Sequence, residues 1–139
     1  MPITSTASTD TRKFLLALLV DLVGDMNFDN CFKAAHRELH HFFWQVKENP
    51  QSACFVEDLL FDTNGNYPYC DQIEELLQEL QLSGVLSRPN PTYRYHDIGI
   101  RESPSAAEFK ASLSSDQMKS YEQVVEGFKR DLGIRRAAR

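Results

Sequence analysis

The stretch "QLSGVLSRPNPTYRYHDI", residues 81–98, limits the possible fold more than any other part of the chain. Each proline removes an amide donor and crowds the preceding turn, so Pro89 and Pro91, one residue apart, cannot sit inside a helix. Gly84 just upstream offers a left-handed stop. The helix opening at Asp71, with Ile73, Leu76, Leu77 and Leu80 at i, i+3, i+4 and i+7, must therefore end near Gly84. The chain then doubles back through Pro89-Asn90-Pro91 as two strands, near 85–88 and 93–98.

Two helical patterns precede this unit. Phe14, Leu15, Leu18, Leu19, Leu22 and Val23 recur at helical spacing behind a Thr9 or Asp10 cap, with Gly24 as a stop. A second helix is expected from Asn27 or Asp29 to the "ENP" at 48–50, because Phe28, Phe32, Ala35, Leu39, Phe42, Phe43 and Val46 fall on one face. Residues 52–62 satisfy both helix and strand patterns; helix is preferred on Phe55, Leu59 and Leu60. Asn64-Gly65 and Pro68 mark a turn. After Arg101, Ser103-Pro104 opens a short helix and Ser114 or Ser115 a longer one, with Met118, Tyr121, Val125, Phe128 and Leu132 as a seam ending at Gly133. That seam is too short for an independent coiled coil and suits packing on its own domain, with a homodimer as the other way to cover it. The expected fold class is mainly α: a winged-helix-like helical domain with a small β-hairpin and C-terminal helices. Residues 9–133 would form one domain, between a disordered 1–8 and a basic tail at 134–139.

At 139 residues the chain is long enough for one ordinary core. Its longest apolar run, Phe14 to Val20, is seven residues, against roughly 20 for a bilayer span. "MPITSTASTD" lacks the basic start of a secretory signal. Three cysteines without a C-x-x-C pair fit neither a disulfide framework nor a thiolate zinc site. A cytoplasmic protein without a membrane contact is expected.

A DNA-reading winged helix needs cations and amides on the helix before the hairpin. Here the positions expected to be exposed are Asp71, Gln72, Glu74, Glu75, Gln78, Glu79 and Gln81. From Glu48 to Ser87, forty consecutive residues hold eight carboxylates and no Lys or Arg. Phosphate would repel that surface. The alternative nucleic-acid contact is the hairpin, through Arg88, Arg94 and His96, with Arg101 and the basic tail behind it. Tyr93 and Tyr95, on one strand face, are expected to pack on the helices.

The segment "YPYCDQIEELLQELQLSGVLSRPNPTYRYHDI" resembles the central part of the Panacea proteins of bacteria and phages, the group that includes SocA-like antitoxins and YwgA-type proteins. There a "GPYS" turn precedes an acidic, leucine-bearing helix, a glycine and an irregular hairpin. The likeness covers about 35 residues directly, with weaker support from "LSSDQMKSYEQVVEGF". Cys70 stands where the capping serine would be, and Asn66-Tyr67 where the glycine would be. The resemblance implies a helical, winged-helix-like protein that works by binding other proteins, toxins and proteolytic adaptors among them, and it brings no catalytic residues.

Other candidate residues are few. His36 and His40 in "HRELHH" stand one helical turn apart, as a metal pair would, but Glu38 points about 160° away on a helical wheel and no third ligand is evident at a convincing spacing. His36 is expected beside the core, with His40 and His41 in solvent. Cys31 and Cys54 are read as buried small hydrophobes. No cofactor, metal or catalytic residue is expected, and the metal-dependent enzyme is the least favoured alternative. Trp44, roughly opposite the core face, is either covered by its own chain or an interface anchor. The favoured reading is a non-enzymatic interaction or regulatory module whose partner meets Trp44, Glu74, Glu75, Gln78 and Glu79.

Overall fold

The apolar run near the N-terminus becomes the middle of α1 (Thr9–Val23), which buries Phe14, Leu15, Ala17, Leu18, Leu19 and Leu22. In the computed structural model, residues 9–88 and 94–135 are described; the Pro89-Asn90-Pro91 turn, Tyr93 and the segments 1–8 and 136–139 lie outside them. The described chain is mostly helical. In order, α1 is followed by β1 (Phe28–Lys33), α2 (His36–Glu48), a 3₁₀ turn at Ala53–Val56 and α3 (Asp71–Leu82). Then come β2 (Leu86–Ser87), β3 (Tyr95–Ile98), α4 (Pro104–Ala111), α5 (Ser115–Leu132) and β4 (Gly133–Arg135). The strands form one antiparallel sheet in the order β2-β3-β1-β4.

β1 corrects the expected second helix, which splits into a strand and the shorter α2. Phe28 and Phe32 are four residues apart, a spacing that keeps two side chains on one face of a helix or of a strand. Both are buried, and pairing decides the matter: Phe32 lies opposite His96 of β3, and Lys33 opposite Tyr95. On the other side Phe28 faces Arg135 and Phe32 faces Gly133 of β4. The start of the expected basic tail is thus part of a strand, with the Arg135 guanidinium 5.0 Å from the Phe28 ring centre.

Residues 52–62 form only the 3₁₀ turn, because side chains take up the backbone groups a longer helix would have used. Lys47 Nζ donates to the carbonyls of Glu57 and Leu59 at 2.7 and 2.6 Å. Gln72 donates to the Asp58 carbonyl at 2.6 Å and accepts from the Leu60 amide at 2.7 Å. Beyond this point Asp62 and Tyr69 exchange two backbone bonds, closing a loop before α3.

The later caps follow the local sequence. Ser103 caps α4 with Pro104 behind it, and Ser114 and Gln117 form a reciprocal capping box on α5. Tyr121, Val125, Phe128 and Leu132 are buried in the chain's own core, and Met118 partly so. Phe14, Phe55, Phe109 and Tyr121 pack ring to ring, joining α1, the 3₁₀ turn, α4 and α5. None of the described helices is long and apolar enough to cross a membrane.

Candidate functional site at the start of α2 and α3

Glu74 supplies the third group that the sequence did not reveal beside His36 and His40. It lies one turn into α3, and its carboxylate meets His40 Nε2 at 2.9 Å and His36 Nδ1 at 3.0 Å. These three ligand atoms lie within 4.8 Å of one another, so residue types and proximity suit a divalent cation. The expected exposures are reversed: His40 is wholly buried, and the His36 side chain is about half exposed, at 50%. Tyr69 stacks on the His40 ring at 4.8 Å and 9°, and Tyr67 meets its edge at 5.9 Å, with the Arg37 guanidinium 5.8 Å from the Tyr67 ring centre.

The His40 ring has little freedom of protonation. The amide of Cys70 donates to its Nδ1 at 2.9 Å, in a buried bond. A ring nitrogen that accepts carries no proton, so the neutral imidazole holds its single proton on Nε2 and donates it to Glu74. A metal on Nε2 would reverse this tautomer and turn an Nδ1–H toward the Cys70 N–H, the opposite of the acceptor that metal-bound histidines find for that proton. The residues have the identity and closeness of a metal site but not its hydrogen-bond support. Burial holds the His40 pKa below its ordinary value, against the pull of Glu74, while the two histidines hold the Glu74 carboxyl below its usual range against its own burial.

A second feature adjoins the first. Lys33, His36, Arg88, Arg94 and Tyr95 line a hollow of about 460 Å³ between the hairpin and the start of α2, where Ala35 provides no side-chain cap. Glu38 also reaches this hollow, 3.9 Å from Lys33. Arg88 and Arg94 therefore line the same hollow, but His96 is not with them. His96 lies beneath the sheet, 3% exposed, its ring 5.1 Å from that of Phe32. Strand alternation puts 96 and 98 on the buried face and Tyr95 on the open one, which corrects both His96 as a surface contact and Tyr95 as a packed residue.

The outer face of α3 is narrower than expected. Gln72 is buried in its loop contacts, Glu74 is taken by the histidines, and Glu79 is paired with Arg12 of α1. Asp71, Gln78, Gln81 and Leu82 remain exposed, with Glu75 partly covered. Trp44 is half-buried, its ring 5.8 Å from that of His41. The cysteines also differ from expectation. Cys54 is exposed and Cys31 partly so, while Cys70 is the buried one, its thiol pKa raised by burial.

Compared with protein-family models, with curated proteins and with solved structures, the chain matches none.

Proposed function

We propose that the chain is a winged-helix-like protein-interaction module of the Panacea kind, from a bacterium or phage, which binds another protein and catalyses no reaction. The succession of helix, strand, two helices and hairpin, with β1 beside β3, supports the winged-helix-like description. The observation that carries the reading is the outer face of α3: a carboxylate at Asp71, amides at Gln78 and Gln81 and an almost fully exposed Leu82, with no cation. Such a face repels phosphate but offers an apolar contact with polar surroundings, the composition of a protein interface. A toxin or a proteolytic adaptor is the kind of partner the resemblance suggests.

The hollow lined by Lys33, Arg88 and Arg94 favours a second reading, a transcriptional regulator that touches DNA through its hairpin. Three phosphate contacts predict a salt slope no steeper than about −3. Affinity capture of the full-length chain from its native cell separates the two. The interaction reading expects a specific protein partner that is lost with Gln78→Arg plus Leu82→Glu, and duplex binding too weak to survive physiological salt. Tight duplex binding abolished by Arg88→Ala plus Arg94→Ala would replace the first reading with the second.

A further inference from the structure

We infer that His40 is a proton-operated latch on the start of α3: neutral, its ring holds the Cys70 amide and the Glu74 carboxylate together, and protonated, it must let the Cys70 amide go. The geometry leaves no intermediate arrangement. Nδ1 is 2.9 Å from the Cys70 nitrogen, whose hydrogen points at it, and Nε2 is 2.9 Å from Glu74. A proton added at Nδ1 would face that amide hydrogen across a gap sized for one hydrogen. The ring cannot turn away, because it is wholly buried with Tyr69 stacked on it.

What is released matters because the N-cap residue of α3 supplies no side-chain cap. Cys70 is the residue before the helix, and its side chain makes no capping bond. The ring of a residue thirty positions upstream instead satisfies one of the amides a helix start leaves without an intrahelical partner, that of Cys70 itself. On release, the end of the Asp62–Tyr69 loop loses its backbone hydrogen bond to α2 and keeps the ring contacts of Tyr67 and Tyr69, while Gln72 holds the preceding segment at Asp58 and Leu60. The charged and titratable groups facing the ring are Glu74 and Asp71 on α3, His36 on its own helix, and Tyr67 and Tyr69 on the loop, with Arg37 over Tyr67. Glu74 and Asp71 favour the imidazolium, and burial and His36 oppose it. Glu74 contacts only Nε2, so it stabilises the imidazolium charge but cannot accept a hydrogen bond from a proton on Nδ1.

Two measurements on the full chain test this. A long-range ¹⁵N–¹H spectrum at pH 7.5 should place the His40 proton on Nε2. Native-state hydrogen exchange, corrected for intrinsic rates and measured in the His96→Leu background, where acid no longer lowers global stability through His96, should show protection of the Cys70 amide falling by up to about thirtyfold from pH 7.5 to 5.0, well beyond any fall at the Leu39 amide. With His40→Asn added, whose carbonyl can accept the same amide and cannot titrate, Cys70 protection should stay flat. A proton on Nδ1, a parallel loss at Leu39, or the same loss in His40→Asn would overturn the latch. So would stoichiometric Zn²⁺ uptake that shifts both His36 and His40, since it requires the other tautomer. If His40→Asn does not fold, the spectrum of the native chain and the paired exchange rates of His96→Leu decide the question.

Discussion

His40 and His96 are equally hidden from water, yet their surroundings differ. At the junction of α2 and α3, both ring nitrogens of His40 have partners, the Cys70 amide and Glu74. Under the sheet, His96 rests against Phe32, and its Nδ1 has no hydrogen-bond partner among the described residues. A buried polar group with partners makes its neighbours depend on it, whereas one without them contributes mainly its volume. The first histidine ties two helices together; the second could be exchanged for a hydrocarbon.

The largest expected difference comes from substituting leucine at each position. His40→Leu strands a buried amide hydrogen and removes a donor from a half-buried carboxylate, and should lower unfolding stability at pH 7.5 by about 3–5 kcal/mol. His96→Leu removes a ring whose Nδ1 has no partner among the described residues and should change stability by less than about 1 kcal/mol in either direction. Urea melts of the two variants read the comparison directly, and equal losses would remove the distinction between the sites.

Acid provides the next test. Desolvation pushes the His96 pKa down from 6.5 to about 4, with Arg88 and His36 adding to the push. The unfolded ring therefore takes up its proton first as pH falls, so stability is intact above about 6.5 and drops by about 1.4 kcal/mol per unit until about 4. The total is about 3 kcal/mol. His96→Leu should flatten the stability profile between pH 7 and pH 4 by that amount. His40, whose pKa is also lowered, acts in the same direction and should leave a residual slope in that variant. A profile unchanged by His96→Leu would mean that His96 does not carry the acid sensitivity.

Neither histidine was readable in the sequence, for different reasons. His96 depended on strand parity, which the hairpin's existence did not determine: taking Tyr95 as the packed residue reversed the face. His40 depended on a partner thirty-four positions away, since Glu74 sits among acidic residues that all looked like solvent-exposed helix surface. By contrast, the α4 and α5 caps, the α3 stripe Ile73, Leu76, Leu77 and Leu80, and the seam from Tyr121 to Leu132 were legible because each rests on contacts or dihedrals within a few turns. β1 failed between these cases, its phenylalanine spacing fitting two periods until β3 and β4 paired with it.

The two ends of α3 carry the same contrast within one helix and give the smallest effect. Its C-terminal end closes locally: Gly84 sits at φ +83°, its amide bonds to Gln81 and that of Val85 to Leu80, the paired bonds of a glycine-terminated helix. Nothing lies within 4 Å of where a Cβ on Gly84 would stand, so Gly84→Ala tests backbone conformation alone. The left-handed dihedral should cost about 1 kcal/mol, less than the removal of His40 from the opposite end. That cost should be the same at pH 7.5 and pH 5.0, because no titrating group holds this end, and Cys70 amide protection should keep its pH dependence in the variant. A Gly84→Ala penalty that grew in acid would show that the two ends of α3 open together, and the helix would then behave as one unit released by a single proton.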